Sequence, residues 1–223
     1  MLNRYRDIGV CKEDITLFVR IVKNDIGCIP EEQLRSIAKG IIFFKRTFGH
    51  GENLQDYYFK CLVSDLLNLI HSLGIKSQRL YYTTYRSMIE NFVRVILKYD
   101  NLNDTGVRNM FNELHRNYAN IGNEFINYLE GEYGKCCNVV HSNIRASLKL
   151  YNYYEEVVNA DEMNQDTVIS CANSFKTFLN KAKKFILECI PFVVDESFYN
   201  HKELLEFLIG KKYYLKFKNT SKS

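Results

Sequence analysis

KSQRLYYTTYRSMIENFVRVILK, residues 76–98, decides the fold. Leu80, Thr84, Met88, Phe92 and Ile96, with Val95 and Tyr99 beside them, recur at three- and four-residue spacing, the period of one face of an α-helix. Such a stripe needs other helices to cover it, so the segment reads as the central helix of a bundle. Arg86, Glu90 and Arg94 stand four residues apart on another face and form one charged row.

Toward the N-terminus, Asn53 to Leu73 reads as a helix closed by Gly74. Before it, Pro30 with Glu31 and Glu32 opens a helix that stops at Gly49, because proline suits a first turn and carboxylates suit the positive end of the helix dipole. CKEDITLFVRIVKN (11–24) reads as a shorter helix behind an irregular stretch, 1–10. Toward the C-terminus, DNLND (100–104) is a turn, and helices follow over 107–118 and from Asn123 through Val140. Gly131 and Gly134 each cost about 1 kcal/mol against Ala inside a helix, so a close backbone approach is expected at these two positions. Helices over 143–158, 168–194 with a break near Pro191, and 197–209 complete the chain; KYYLKFK (212–218) is the one strand-like alternation. The expectation is a single all-α domain over 1–223, a bundle of seven or eight helices.

The chain has 223 residues, 46% hydrophobic and 25% charged, which excludes wholesale disorder. Its net charge of +4 sits in residues 201–223, where six lysines face only Glu203 and Glu206. In the basic tail, 211–223, Lys211, Lys212 and Lys216 could hold a nucleic-acid backbone, with Tyr213, Tyr214 and Phe217 to stack on bases; the alternative is a solvated, fraying end. Seven cysteines with no CxxC point to reduced thiols rather than a disulfide framework or a zinc site. GxxxxGK[ST], GxGxxG and HExxH are missing, so neither a cofactor nor a metal is expected. No leader and no apolar run of about 20 residues is evident, and the expectation is a cytoplasmic protein without a membrane partner.

Of the histidines at 50, 71, 115, 141 and 201, His71 reads as structural and His50 as a loop residue. His141 ends a helix among Asn138, Ser142 and Asn143, where an imidazole can act as general acid or base or serve as a cap. The Arg86/Glu90/Arg94 row has a plain reading too, since each such pair stabilises a helix surface by about 0.2–0.5 kcal/mol. On a central helix, however, the row places charge at a cleft or a subunit interface.

YRSMIENFVRVIL (85–97) and YGKCCNVVHSN (133–143) together resemble the helical HEPN superfamily, closest to its toxin and abortive-infection branches, over a core of residues 53–158. Residues 1–50 and 160–210 would then be packing helices. The resemblance implies a bacterial defence or toxin protein, a homodimer, and a metal-independent endoribonuclease acting on RNA beside a cognate antitoxin or other partner protein. It implies a histidine that moves the proton, here His141, and an arginine that stabilises phosphate charge; Lys135 could supply that charge, or Arg86 or Arg94 could replace it from the central helix with Glu90 orienting either one, and Asn138 is a candidate RNA contact. The family's Arg-x(4–6)-His spacing falls here on Gly134, Lys135 and Cys136, none of them arginine. Arg108 and His115 match that spacing literally and form an alternative pair. A non-catalytic helical module binding a partner protein, a nucleotide or RNA is the second reading.

Overall fold

Residues 78–96 form the helix around which the others pack. The computed structural model describes residues 2–49, 57–141 and 149–220, and within them the chain is all-α, with ten helices and no strand. They are α1 (Leu2–Asp25), α2 (Glu31–Phe48), α3 (Tyr57–Ile75), α4 (Gln78–Ile96) and α5 (Val107–Val140). Then come α6 (Leu150–Asp161), α7 (Gln165–Cys189), α8 (Pro191–Ser197), α9 (Lys202–Ile209) and α10 (Lys211–Thr220). No described helix is long and apolar enough to cross a membrane.

Both ends of α4 are set locally. Ser77 caps the start, its hydroxyl accepting from the Leu80 amide at 3.1 Å and donating to Asp161 at 2.7 Å, so the cap is tied to the end of α6. At the far end Lys98 takes a left-handed conformation (φ 56°), and the amides of Lys98 and Tyr99 return to the carbonyls of Val95 and Arg94, closing the helix in a Schellman turn.

More of α4 is buried than one stripe. Thr84, Met88, Phe92, Val95 and Ile96 are inside as the spacing predicts, but Leu80 is 39% exposed, while Tyr81 and Tyr85 are sealed. The buried arc is wide because Phe92 meets Phe44 of α2, Phe125 of α5 and Phe178 of α7, with ring centroids 5.6–5.8 Å apart. Tyrosine tolerates such burial when its hydroxyl finds a partner: Tyr81 donates to the Cys171 carbonyl at 2.8 Å, and Tyr85 lies 3.4 Å from the Tyr128 hydroxyl.

The long helix α5 doubles back on itself. Phe111 and Tyr133 rings lie 5.9 Å apart and His115 meets Glu130 at 3.3 Å. A straight helix would separate Phe111 from Tyr133 by about 33 Å. The paired positions are symmetric about Gly122, so the two helices expected over 107–118 and 123–140 are the two arms of this hairpin. Close approach occurs at Gly122, where a Cβ would lie 2.3 Å from the Phe185 ring, and at Gly40, against Leu179. The expectation for Gly131 and Gly134 is overturned, since nothing lies within 4 Å of a Cβ at either.

Other boundaries also differ. α1 starts at Leu2 rather than after residue 10, and its Asp7 meets His201 of the α8–α9 connection at 2.6 Å. Pro191 breaks the long C-terminal helix by starting α8. The strand-like KYYLKFK is helical, and neither a strand nor a fraying end describes 211–220: Phe217 is buried and Tyr214 packs on the core. His50, the start of the helix expected from Asn53, and residues 143–148 of the one expected from Asn143 lie outside the described residues.

Candidate functional site

The charged row on α4 meets the second arm of α5. Period 3.6 puts Tyr133, Cys137 and His141 on one face of that arm, four residues apart, and this face turns toward Arg86. Arg86 Nε donates to Glu90 Oε1 at 3.2 Å and to the Tyr133 hydroxyl at 3.0 Å, while that hydroxyl donates to the same Glu90 oxygen at 3.0 Å. The guanidinium also lies over the Tyr133 ring, 5.3 Å from its centroid. Its Nη1 reaches His141 Nε2 at 3.4 Å. The helix end leaves His141 exposed, its amide capped by the Cys137 carbonyl at 2.9 Å.

Arg94 completes the row on the inner side. Its Nη1 donates to Glu90 Oε2 at 3.5 Å, its guanidinium lies 5.0 Å from the Tyr58 ring centroid, and its buried Nε has no acceptor among the described residues. Glu90 is thus a carboxylate shared by two guanidinium groups, with side-chain exposures of 32% for Arg86, 20% for Glu90 and 17% for Arg94. The three charges are neither a solvated face nor a sealed core. They form a half-buried edge with one more positive charge than negative, whose outward end is Arg86.

Burial and the Glu90 charge push the Tyr133 phenol up to about 12, against the pull of its Arg86 hydrogen bond, so it stays a neutral donor at physiological pH. Burial, then the nearby Glu132, pushes the Cys136 thiol up to about 12 and leaves it protonated and inert. Beside the row, Asp65 of α3 accepts from Ser87 and from Asn91 of α4, each at 2.8 Å. Burial raises the Asp65 carboxyl above its usual range despite these two bonds.

Of the residues singled out in the sequence, Arg86, Glu90, Arg94 and His141 are brought together. Lys135 is not: two residues on from Tyr133 it faces the other side of the arm, 68% exposed and bound to Glu132 at 2.5 Å. Asn138 is exposed one turn before His141. In the alternative pair, Arg108 and His115 lie on the first arm of α5, and His115 is engaged with Glu130. Lys211, Lys212 and Lys216 lie on α10, where Lys216 reaches Glu188 at 2.6 Å. All seven cysteines are free thiols, and no group of acidic, histidine and cysteine side chains among the described residues could hold a metal ion. Tyr133 is the residue that sequence reading missed; it is visible there only as an apolar position at helical spacing.

A groove of about 1070 Å³ between α1, α2 and α3 lies elsewhere. It contains no histidine, and its Asp7, Glu13, Asp14, Lys45, Arg46 and Lys60 mix both signs of charge. The Arg86 edge is therefore the stronger candidate for chemistry. Comparison of the chain with models of known protein families, with curated proteins and with solved structures finds no match in any of the three.

Proposed function

We propose that the protein is a HEPN-like, metal-independent endoribonuclease of a defence or toxin system, acting at Arg86 and His141. The observation that carries this reading is the 3.4 Å contact between Arg86 Nη1 and His141 Nε2, which joins an anion-binding group to a proton-transfer group from two different helices. Arg86 takes the place of the arginine missing from positions 134–136. Its Nε edge is anchored by Glu90 and Tyr133, so the Nη edge is the one offered to a phosphate beside the imidazole.

In that reaction His141 Nε2 takes the proton of a ribose 2′-hydroxyl. The 2′-oxygen bonds to phosphorus, the bond to the 5′-oxygen breaks, and the leaving oxygen is protonated by the same histidine of a second subunit, as the resemblance implies. Arg86 stabilises the charge that builds on the non-bridging oxygens. The products are a 2′,3′-cyclic phosphate and a 5′-hydroxyl. Glu90 and Tyr133 act through Arg86 and are positioning residues. Arg94 supports Glu90 from the inner side.

Cleavage of end-labelled RNA, with and without chelator, tests this. The wild type should cut in both conditions, and His141→Ala and Arg86→Ala should each lose about two orders of magnitude or more. Absence of cutting by the wild type, or equal cutting by His141→Ala, refutes the assignment. A non-catalytic module that binds RNA or a partner through the same edge is the second reading, favoured by the absence of arginine from positions 134–136. That reading predicts Arg86-dependent RNA retention without products.

A further inference from the structure

A guanidinium has donors and no acceptor, and it keeps its protons at any pH a protein survives. The contact between Arg86 Nη1 and His141 Nε2 therefore has only one chemically allowed direction. Nε2 must accept, its lone pair aimed at Arg86, and the proton of the neutral ring must sit on Nδ1. A solvent-facing imidazole favours the opposite tautomer, with the proton on Nε2, so this placement is imposed by Arg86 rather than by the ring itself. His141 is exposed, and its contact with Arg86 sets the tautomer.

The two partners are not equally free to let go. Arg86 is held through Nε by Glu90 at 3.2 Å and by Tyr133 at 3.0 Å, with the Tyr133 ring against its face. Its bond to His141 is the longest of these, 3.4 Å, and lies at the exposed end of the network. A phosphate oxygen carries a full charge to meet the guanidinium and can pair with it through two parallel bonds, whereas the neutral imidazole offers one lone pair. An incoming phosphate would thus take the Nη edge from the imidazole, while the Nε anchor keeps the guanidinium in place.

We propose that Arg86 caps the Nε2 lone pair of His141 in the empty site, and that a phosphate anion at the Arg86 Nη edge uncaps it, so that anion binding and release of the base are one event. The tautomer follows from geometry alone; its use in catalysis rests on the ribonuclease reading above. In a ribonuclease this device withholds the base until a phosphodiester is bound. No atom is transferred in the capping step; one hydrogen bond is exchanged for another.

The test is nitrogen-15 NMR of the full chain labelled at histidine, at a pH where the rings are neutral, with the His141 signals identified by their loss in His141→Asn. In the free wild type His141 should show the pattern of a proton on Nδ1. Inorganic phosphate, which brings no hydroxyl to donate to the freed Nε2, should shift it toward a proton on Nε2, whereas in RNA the ribose 2′-hydroxyl takes the place of Arg86 as donor and keeps the lone pair on Nε2. In Arg86→Met, which keeps the aliphatic stem, the Nε2–H pattern should be present from the start and phosphate should not move it. A free wild type already in the Nε2–H form overturns the proposal, as does a phosphate titration that leaves the wild-type signals unmoved. Both readouts on the wild type stand whether or not the variant folds. RNA cleavage measured on the same sample separates the two ideas, since a capped His141 without cleavage refutes the ribonuclease and not the cap.

Discussion

Gly122→Ala tests the doubling back of α5, on which the meeting of Arg86 and His141 depends. A Cβ at this position would lie 2.3 Å from Phe185 Cε2, 2.7 Å from Cδ2 and 3.3 Å from Cys189 Sγ, whereas carbon atoms rest about 3.5–4.0 Å apart. The Phe185 ring has nowhere to retreat: it is 2% exposed and lies 4.9 Å from Phe125 and 5.6 Å from Tyr118, centroid to centroid. Overpacking of this kind costs about 1–3 kcal/mol, against roughly 1 kcal/mol gained by Ala over Gly in a helix. The balance is a loss of about 0–2 kcal/mol, and the 2.3 Å approach to a sealed ring puts it toward the upper end, up to about 8 °C in Tm for a chain of this size. Gly131→Ala and Gly134→Ala, with open space around the new methyl group, should instead raise Tm by about 1–4 °C each. Thermal unfolding followed by circular dichroism reads all three. A Gly122→Ala protein that melts at or above the wild type refutes the packing argument.

Other substitutions probe the charges. Tyr133→Phe removes the hydroxyl shared by Arg86 and Glu90 and should cost roughly 1–2 kcal/mol in urea unfolding, while His141→Ala, at the exposed helix end, should cost well under 1 kcal/mol. Burial, with Lys39 nearby, holds the Lys183 ammonium down at about 8. The unfolded chain keeps that proton to about 10.5, so stability should rise with pH from 8 to 10.5, and Lys183→Met should flatten the rise and stabilise the protein at pH 7. Asp65 has the opposite sign. Its carboxyl is raised above 3.8 by burial, so its favourable contribution is complete below that pH and is lost as pH rises through the raised value. Asp65→Asn, which retains an acceptor for Ser87 and Asn91, should therefore melt higher than the wild type at pH 7 and converge with it near pH 3.5.

Local periodicity made α4, its charged row and the two arms of α5 legible in the sequence, because apolar spacing and turn residues act over a few positions. Tyr81 and Tyr85 were not legible as core, since a tyrosine declares its burial only through a distant hydroxyl partner such as the Cys171 carbonyl. Gly131 and Gly134 drew attention over Gly122 because a glycine's cost is local while its reason, here the Phe185 ring, belongs to another helix. Tyr133 lies 47 residues from Arg86 and 43 from Glu90, and no spacing rule links positions so far apart. The alternation in KYYLKFK misled because Phe217 and Tyr214 pack against neighbouring helices, which outweighs a short strand-like pattern.

The hairpin in α5 also divides the molecule by cooperativity. The Phe44, Phe92 and Phe178 cluster fastens α4 to α2 and α7, and Phe125, Ile126 and Leu129 fasten the start of the second arm to it, whereas the arm's last stretch, 133–141, is held by Cys136, the Phe111–Tyr133 contact and a few polar bonds. Opening of that stretch as a unit would part His141 from Arg86 while the aromatic centre stays folded, at a free energy below that of global unfolding. Amides of residues 133–141 should then exchange with solvent faster than those of 85–96, and additions that bridge the arm to Arg86 should slow the first set and leave the second unchanged.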